Sequence, residues 1–401
     1  MSKILFYPDN LDIIKIINND KVLTPNQRRL ACKYYERVLY PINRLIMEWK
    51  YNWSYEDKPN KDLSIPLNMK ILRKLYGSNE YDFFFDILLR NKIIRRVKNH
   101  SNSSNRIGQS SEYNLYPKYI SEHYSRLIVT DKLLERKLNG HDLNLNNPIH
   151  KRIHDNLCKI KFPLENRNRT ETYSLRCLKI NEYNSMCIEK IEQKDFFINS
   201  DNKSGRLFNT IASCKKELRR KFIVDDEKLC EVDICNSQPL FFSYELNTEY
   251  KDIFDCAPQD VEFYNKIVSE GKFYEYLMHQ WNIPIEERNE FKRECFASIF
   301  YCTKYTNYNH HYSKLFKKKF PNVMKHILKL KKGNYRNLSI QMQKREVGVI
   351  RNVINQIPQD MFFIPIHDSI MCKRKDCEFI KSLIFKEMNI IGLQPTIKIN
   401  I

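Results

Sequence analysis

The chain has 401 residues, a length that suggests two or three domains at roughly 150 residues each. Hydrophobic residues make up 42% and charged residues 29%, ordinary globular usage that excludes a mainly disordered chain or a disulfide-built miniprotein. The net charge is +20 with basic residues spread along the chain, which fits a polyanionic partner. Charge alone does not separate a nucleic-acid-binding protein from an ordinary basic one.

No apolar run reaches the roughly 18 residues of a spanning helix, so no membrane segment is expected. The start, MSKILFYPDNLD, lacks a long apolar stretch and a small-residue cleavage site. A cytoplasmic protein is therefore expected. The 12 cysteines include no C-x-x-C pair, and the nearest neighbours are Cys230/Cys235 and Cys372/Cys377. Structural zinc usually needs short paired spacings, so buried free thiols are expected. His310-His311 reads as surface polarity. Glycine is scarce at 8 residues, and neither a G-x-G-x-x-G nor a P-loop pattern occurs.

In chain order, Thr24-Pro25 reads as N-cap and first residue of a long helix to about Trp49, with Leu30, Tyr34, Val38 and Ile42 on one stripe. A polar stretch follows from Tyr55 to Asp62. Leu67 to Tyr76 and Asn79 to Asn91 read as helices, the second with Tyr81, Phe84, Phe85, Leu88 and Leu89 on one side. Ile93 to Val97 reads as a strand, Lys98 to Ser111 as a basic loop and Glu112 to Leu115 as a returning strand. Helix, helix, strand, loop, strand is the order of a winged helix, a module that can read a groove and grip phosphate. The same order also suits a small packing domain. Tyr119 to Asn199 reads as basic amphipathic helices, among them Tyr124 to Leu138 and Ile149 to Ile160.

The character changes after Asn199. Leu207 to Phe222 reads as a basic helical stretch after a turn at Lys203 to Arg206, and Leu229 to Ile234 as a strand. Ser237 to Leu246, Glu262 to His279, Glu286 to Tyr301 and Asn337 to Ile357 read as helices. Met361 to Cys372 reads as strand, tight turn, strand. Asp376 is expected to cap a helix with Phe379, Ile380, Leu383, Ile384 and Met388 inward, and Pro395 to Ile401 closes as a strand. The pattern is α+β with a palm-like sheet. Three regions are expected: 1–118 winged-helix-like, 119–200 a helical, thumb-like connector, and 201–401 catalytic.

Three motifs carry the chemistry. In Glu231-Val232-Asp233-Ile234-Cys235-Asn236-Ser237-Gln238-Pro239, an aspartate ends a strand before a helix. Such a residue holds a metal above a sheet edge or simply caps the next helix. Arg288, Lys292, Phe296 and Phe300 recur every four residues and form one ridge. Such a ridge suits a triphosphate at one end and a stacked base at the other, or an amphipathic helix with solvated cations. In Ile364-Pro365-Ile366-His367-Asp368-Ser369-Ile370, an apolar hairpin carries His-Asp at its tip. A hydrolase triad would need a nucleophile elbow, and no G-x-S-x-G occurs.

In order and context these three resemble motifs A, B and C of the family A DNA polymerases and the single-subunit phage-type RNA polymerases. Gly205-Arg206 resembles the G-R before motif A, and Gln343-x-x-Glu346 the glutamine-bearing helix before motif C. The resemblance covers about Gly205 to Ile401. It implies a right-handed polymerase fold, with an antiparallel palm and helical fingers, and two-metal phosphoryl transfer. Asp233, Asp368 and the Ile234 carbonyl would hold two Mg²⁺ ions, or Mn²⁺ in their place. Arg288 and Lys292 would grip the nucleoside triphosphate, with Lys292 the acid for pyrophosphate. Phe296 or Phe300 would stack on the nascent pair, and His367 and Arg206 would meet the primer end. Gln343 would contact the nucleic acid.

This sequence departs from the family pattern in several places. Gln238 stands where a sugar-sensing glutamate is usual, and Ser369 where DNA enzymes carry glutamate. Ala297 and Tyr301 replace the motif B glycines. Phe300 takes the usual tyrosine position, unless a one-residue slip lets Tyr301 serve. The partners expected are a primer–template of DNA or RNA and nucleoside triphosphates, with no membrane. A phage, plasmid or other mobile element would suit such an enzyme. Two other readings stand beside this one: a non-enzymatic DNA-binding replication initiator, and a metal-dependent nuclease recruiting Glu231 or Asp376.

Overall fold

In a computed structural model the described residues are 2–53, 64–76, 78–99, 110–120, 123–163, 182–251 and 257–400. They form two compact units. One is Met1–Asn144 with Lys161–Phe197, the other Leu145–Ile160 with Ile198–Ile401. Among the described residues, no helix is long and apolar enough to cross a membrane.

The first unit begins with β1 (Ile4–Pro8), α1 (Ile13–Asn19), α2 (Pro25–Lys33) and α3 (Tyr35–Trp53). Thr24 and Gln27 close a reciprocal capping box that starts α2. The helix expected to run unbroken to Trp49 instead breaks at Tyr34, where φ is −114° and ψ is 31°. The break has a packing cause. In α3, Val38, Leu39, Ile42, Leu45 and Ile46 are buried, whereas in α2 Leu30 is exposed and Ala31 is buried. The two stripes do not continue one another, so the chain turns between them.

Next come β2 (Ile65–Pro66), α4 (Met69–Tyr76), α5 (Ser78–Arg90), β3 (Ile94–Lys98) and β4 (Glu112–Leu115), with sheet order β2-β4-β3. Tyr81, Phe84, Phe85 and Leu88 of α5 are buried as expected. The polar stretch 55–62 and most of the basic loop, 100–109, lie outside the described residues.

Residues 124–138 are not one helix. β5 (Tyr124–Ile128) pairs antiparallel with β1, Ile4 opposite Ile128, and α6 (Lys132–Asp142) follows. Pairing gives the backbone groups of β1 partners that a lone strand would lack. Asp131 starts α6 by accepting from the amides of Leu133 and Leu134. α7 (Pro148–Leu157) belongs to the second unit and α8 (Glu182–Glu192) to the first. The segment 119–200 thus supplies β5, α6 and α8 to one unit and α7 and residues 198–200 to the other. A buried lysine ties the first unit together: Lys3 lies 2.7 Å from Asp142 and 2.9 Å from Asp195.

In the second unit, β6 (Ile198–Ser200) pairs with β7 (Leu207–Asn209), followed by α9 (Lys216–Arg219), β8 (Ile223–Val224), β9 (Glu227–Ile234) and α10 (Ser237–Lys251). A helical run follows: α11 (Gln259–Ser269), α12 (Phe273–Gln280), α13 (Arg288–Cys295), α14 (Lys304–Asn309), α15 (His311–Lys319), α16 (Pro321–Leu330) and α17 (Asn337–Gln356). The chain closes with β10 (Phe363–Ile366), β11 (Ser369–Lys373), α18 (Cys377–Ile390) and β12 (Ile397–Asn400). The main sheet is antiparallel in the order β10-β11-β9-β12, with β8 also paired to β9. Helices and antiparallel strands make the mixed architecture expected.

Four local expectations fail here, the first two for identifiable reasons. The stretch 207–222 is strand, turns and the short α9, because buried Asn209 donates to the Pro365 carbonyl at 2.7 Å and accepts from the Ala212 amide at 3.0 Å. These bonds fasten the turn to the β10–β11 hairpin. The stretch 262–279 is two helices parted at Gly271, whose φ is +71° and where a Cβ would lie 3.1 Å from Cys235 Cβ. Asp376 sits at the N-cap of α18 without a side-chain capping bond, and Phe379 is exposed, while Ile380, Leu383, Ile384 and Met388 are buried. Finally, Cys230 and Cys377 are joined as a disulfide, with Cys372 beside them, although most other described cysteines are buried free thiols.

Replacing Asn209 removes a donor and leaves the buried Pro365 carbonyl unpaired. Asn209→Ala should lower the unfolding free energy by about 1–3 kcal/mol in a urea titration. A Cm unchanged from the parent chain would contradict that role.

Candidate active site

The site gathers on one face of β9 and β11. Along β9 the residues alternate: Glu231 and Asp233 face one side, while Cys230, Val232 and Ile234 are buried on the other. Ser369 lies directly opposite Asp233 in the ladder. Asp368 is the next residue back, in the two-residue turn between β10 and β11. Register alone therefore brings the two motif aspartates together. His367, the first turn residue, has a φ of +57°, a left-handed conformation that costs a non-glycine residue about 1 kcal/mol.

Electrostatics report the same crowding. Burial, then Asp368 and Glu231, push the Asp233 carboxyl up to about 7. The charges of Lys292 and Lys216 oppose that rise, so motif B faces the carboxylates. Glu231 accepts from Ser369 Oγ at 2.8 Å and from Arg219 at 3.2 Å. Crowded carboxylate oxygens are the donors that a hard divalent cation takes. Asp233 and Asp368 fit such an ion, and Ile234, adjoining on β9, sits at the strand's C-terminal end.

Motif B departs from a regular helix. α13 carries Arg288 and Lys292, and residues Phe296–Phe300 then form a π-helical turn in which the Tyr301 amide donates to the Phe296 carbonyl at 2.7 Å. The π turn inserts one extra residue. Phe300 consequently leaves the ridge and is fully buried beside Phe242, Phe273 and Phe316. Tyr301 takes the vacated direction. Its hydroxyl donates to Gln238 Oε1 at 3.0 Å and also meets the Gln343 side chain. Phe296 stays half-buried, 5.1 Å ring to ring from Tyr301. Lys292 is exposed, and its ammonium stands 5.7 Å from the Tyr274 ring. Arg288 is half-buried and bonds Glu275 at 2.6 Å, so it is the ridge cation with a carboxylate already engaged.

Glu346 of α17 is the residue whose importance the sequence understates. It is fully buried and accepts two bonds from Arg206, at 2.8 and 3.1 Å. Gln238 Nε2 and Ser237 Oγ donate to the same carboxylate. Burial and then the Asp368 charge push Glu346 up to about 7, against the pull of Arg206. Arg206 is thus one arm of a network joining the turn before β7, the start of α10, the π turn and α17. Gly205, at φ +75°, lets that turn pass close to Arg351, whose guanidinium donates to the Gly205 carbonyl at 3.2 Å. His367 is pulled down to about 4, by burial first and then by Arg206. It is therefore neutral at pH 7. Its ring meets Phe208 edge-on at 5.2 Å, and its buried Nδ1 has no hydrogen-bond partner among the described residues.

Two cations beside the carboxylates, Lys216 and Arg219, stand outside the three motifs. Their sequence signal is the basic cluster around α9, which has the composition of a single helix. Asp376 lies by Cys372 on the covered side of the sheet, away from Asp233.

No family model and no curated protein sequence matches this chain. Among solved structures, it is similar to the POL domain of Pol1 from M. smegmatis, in complex with DNA primer-template and dNTP. The likeness has a TM-score of 0.39 at 12% identity, over 54% of this chain and 50% of that one. This chain thus spans about half the length of that structure, a distant and partial likeness.

Asp233 keeps its proton to about pH 7 in the folded chain, whereas an unfolded aspartate loses it near 4. Between those values the folded state binds more protons, so its stability falls as pH rises from 4 through 7. Asp233→Asn should therefore raise the stability of the cation-free protein at pH 8, by about 1–3 kcal/mol, and much less at pH 4. Urea unfolding at the two pH values checks this, and equal gains at both would contradict it.

Proposed function

We propose that the second unit is the catalytic part of a template-dependent nucleotidyltransferase that extends a primer from nucleoside triphosphates. The observation that carries this reading is the meeting of Asp233 on β9 with Asp368 in the β10–β11 turn, with Lys292 charge-coupled to Asp233. A nuclease would want Glu231 free for a metal, and here Arg219 and Ser369 occupy it.

Divalent cations of the Mg²⁺ type, held by Asp233 and Asp368, would supply charge neutralisation at the reacting phosphate. The chain's own residues do the rest. Lys292 and Arg288 bind the triphosphate, Arg288 exchanging its Glu275 partner for phosphate. The primer 3′ hydroxyl gives its proton to solvent, and its oxygen bonds to the α-phosphorus as the bond to pyrophosphate breaks. Lys292 then gives the leaving pyrophosphate a proton. Phe296 supplies a stacking surface for the new base. Neutral His367, whose Nδ1 has no partner among the described residues, orients the primer terminus. Gln238 and Tyr301, bonded to one another, sense the sugar.

The unit would act as palm and fingers of a right hand. The first unit, with its β2-α4-α5-β3-β4 order, would be a winged-helix-like nucleic-acid-binding module. A mobile-element replication enzyme is the setting this suits.

Extension of a labelled primer–template with Mg²⁺, with dNTPs and NTPs in separate tubes, tests the reading. The parent chain should extend in at least one tube. Asp233→Ala/Asp368→Ala should abolish extension, and Lys292→Ala should lower kcat by about 10²-fold or more. No extension, with primer–template binding intact, would overturn the enzyme reading in favour of a DNA-binding initiator. Tyr301→Phe, which removes the bond to Gln238, should change the dNTP:NTP ratio by about tenfold, whereas Phe300 variants act through stability.

A further inference from the structure

The covered face of the same sheet carries a second cluster, of opposite chemical character. Cys230 on β9 and Cys372 on β11 are cross-strand partners. Cys377 is the first residue of α18. The three sulfurs all lie within 4.8 Å of one another, and all three residues are buried. Cys372 Sγ stands 3.7 Å from Cys230 Sγ and 3.7 Å from Cys377 Sγ. In the structure Cys230 and Cys377 are bonded to each other, which leaves Cys372 as a free thiol against both.

We propose that, in the reduced chain, Cys230, Cys372 and Cys377 bind one thiophilic metal ion through three thiolates. Three sulfurs around an ion at about 2.3 Å stand roughly 4 Å apart, which both distances from Cys372 already approach, and reduction frees the Cys230–Cys377 pair to open to the same spacing. No histidine or carboxylate joins this group among the described residues. An all-sulfur, three-ligand, buried site selects a soft ion of low coordination number and rejects Mg²⁺. Two ligands are fixed by strand register, and the third opens a 14-residue helix whose N-terminal dipole favours a thiolate. The proposal does not depend on the nucleotidyltransferase reading, because the thiols lie on the other face of β9 from Asp233.

The disulfide and the ion exclude each other. A dithiol reductant opens the Cys230–Cys377 bond, becoming a disulfide itself and leaving two thiols. The ion then displaces the three thiol protons to solvent and bonds to the three sulfurs.

The test uses the full chain and Cd²⁺ as probe, with excess Mg²⁺ present to occupy hard-oxygen sites. After reduction with dithiothreitol and removal of the reductant without air, one Cd²⁺ per chain should bind with sulfur-to-cadmium charge-transfer absorption. Cys372→Ser and Cys377→Ser should each weaken that binding by about tenfold or more. The oxidised parent chain should not show it. A second readout needs no variant: bound Cd²⁺ should protect Cys230, Cys372 and Cys377 together from alkylation, mapped by mass spectrometry. Absence of binding to the reduced chain would overturn the proposal, as would protection of other cysteines in place of these three.

Discussion

Strand β9 is paired on both sides, with β11 on one and β12 on the other. That double pairing fixes which of its side chains face which way, and most of the second unit's chemistry follows from it. A slip of one residue would exchange Asp233 for Val232 or Ile234 and bury the carboxylates under α18. Held in register, Asp233 is pressed toward Asp368 and Glu231 although the three repel. The sheet tolerates the repulsion because the surrounding ladder leaves the carboxylates no way to separate. Lys292 and Lys216 relieve part of it. Protonation of one carboxyl relieves more of it, which is why burial and then these neighbours push Asp233 up to about 7.

The sequence reveals what repeats locally. An apolar strand, a polar two-residue turn and a second apolar strand are legible at 363–373, and the capping box before α2 is spelled out by Thr24 and Gln27. Tertiary causes are not legible. Residues 207–222 have helical composition, but Asn209 reaches a carbonyl 156 residues away, and that bond decides the local conformation. Cys230 and Cys372 are 142 residues apart and become neighbours only through strand register. Spacing rules for metal sites count along the chain, so they pass over ligands that a sheet assembles.

The ridge at motif B shows a third kind of limit. A period of four residues from Arg288 predicts Phe300 on the working face, and the period holds through Phe296. One π turn then shifts the register by a residue, sending Phe300 into an aromatic core and bringing Tyr301 round to Gln238. The two residues are adjacent aromatics, so composition cannot choose between them. Their environments do: Phe300 has no polar atom to satisfy and can be fully buried, whereas the Tyr301 hydroxyl needs partners and finds Gln238 and Gln343.

The same accounting explains the place of Glu346. A lone carboxylate at this depth would be protonated or expelled, and Glu346 stays because Arg206, Gln238 and Ser237 all donate to it. Each donor comes from a segment that also carries another site residue. Arg206 precedes the strand whose Phe208 touches His367, and Gln238 holds Tyr301. Loss of any one donor would leave a buried charge under-satisfied, so the network favours all its bonds or few of them. The turn before β7, the π turn and the hairpin tip are thereby set as a group. A site assembled from five elements of sequence gains its fixed geometry from one buried carboxylate that needs every one of its partners.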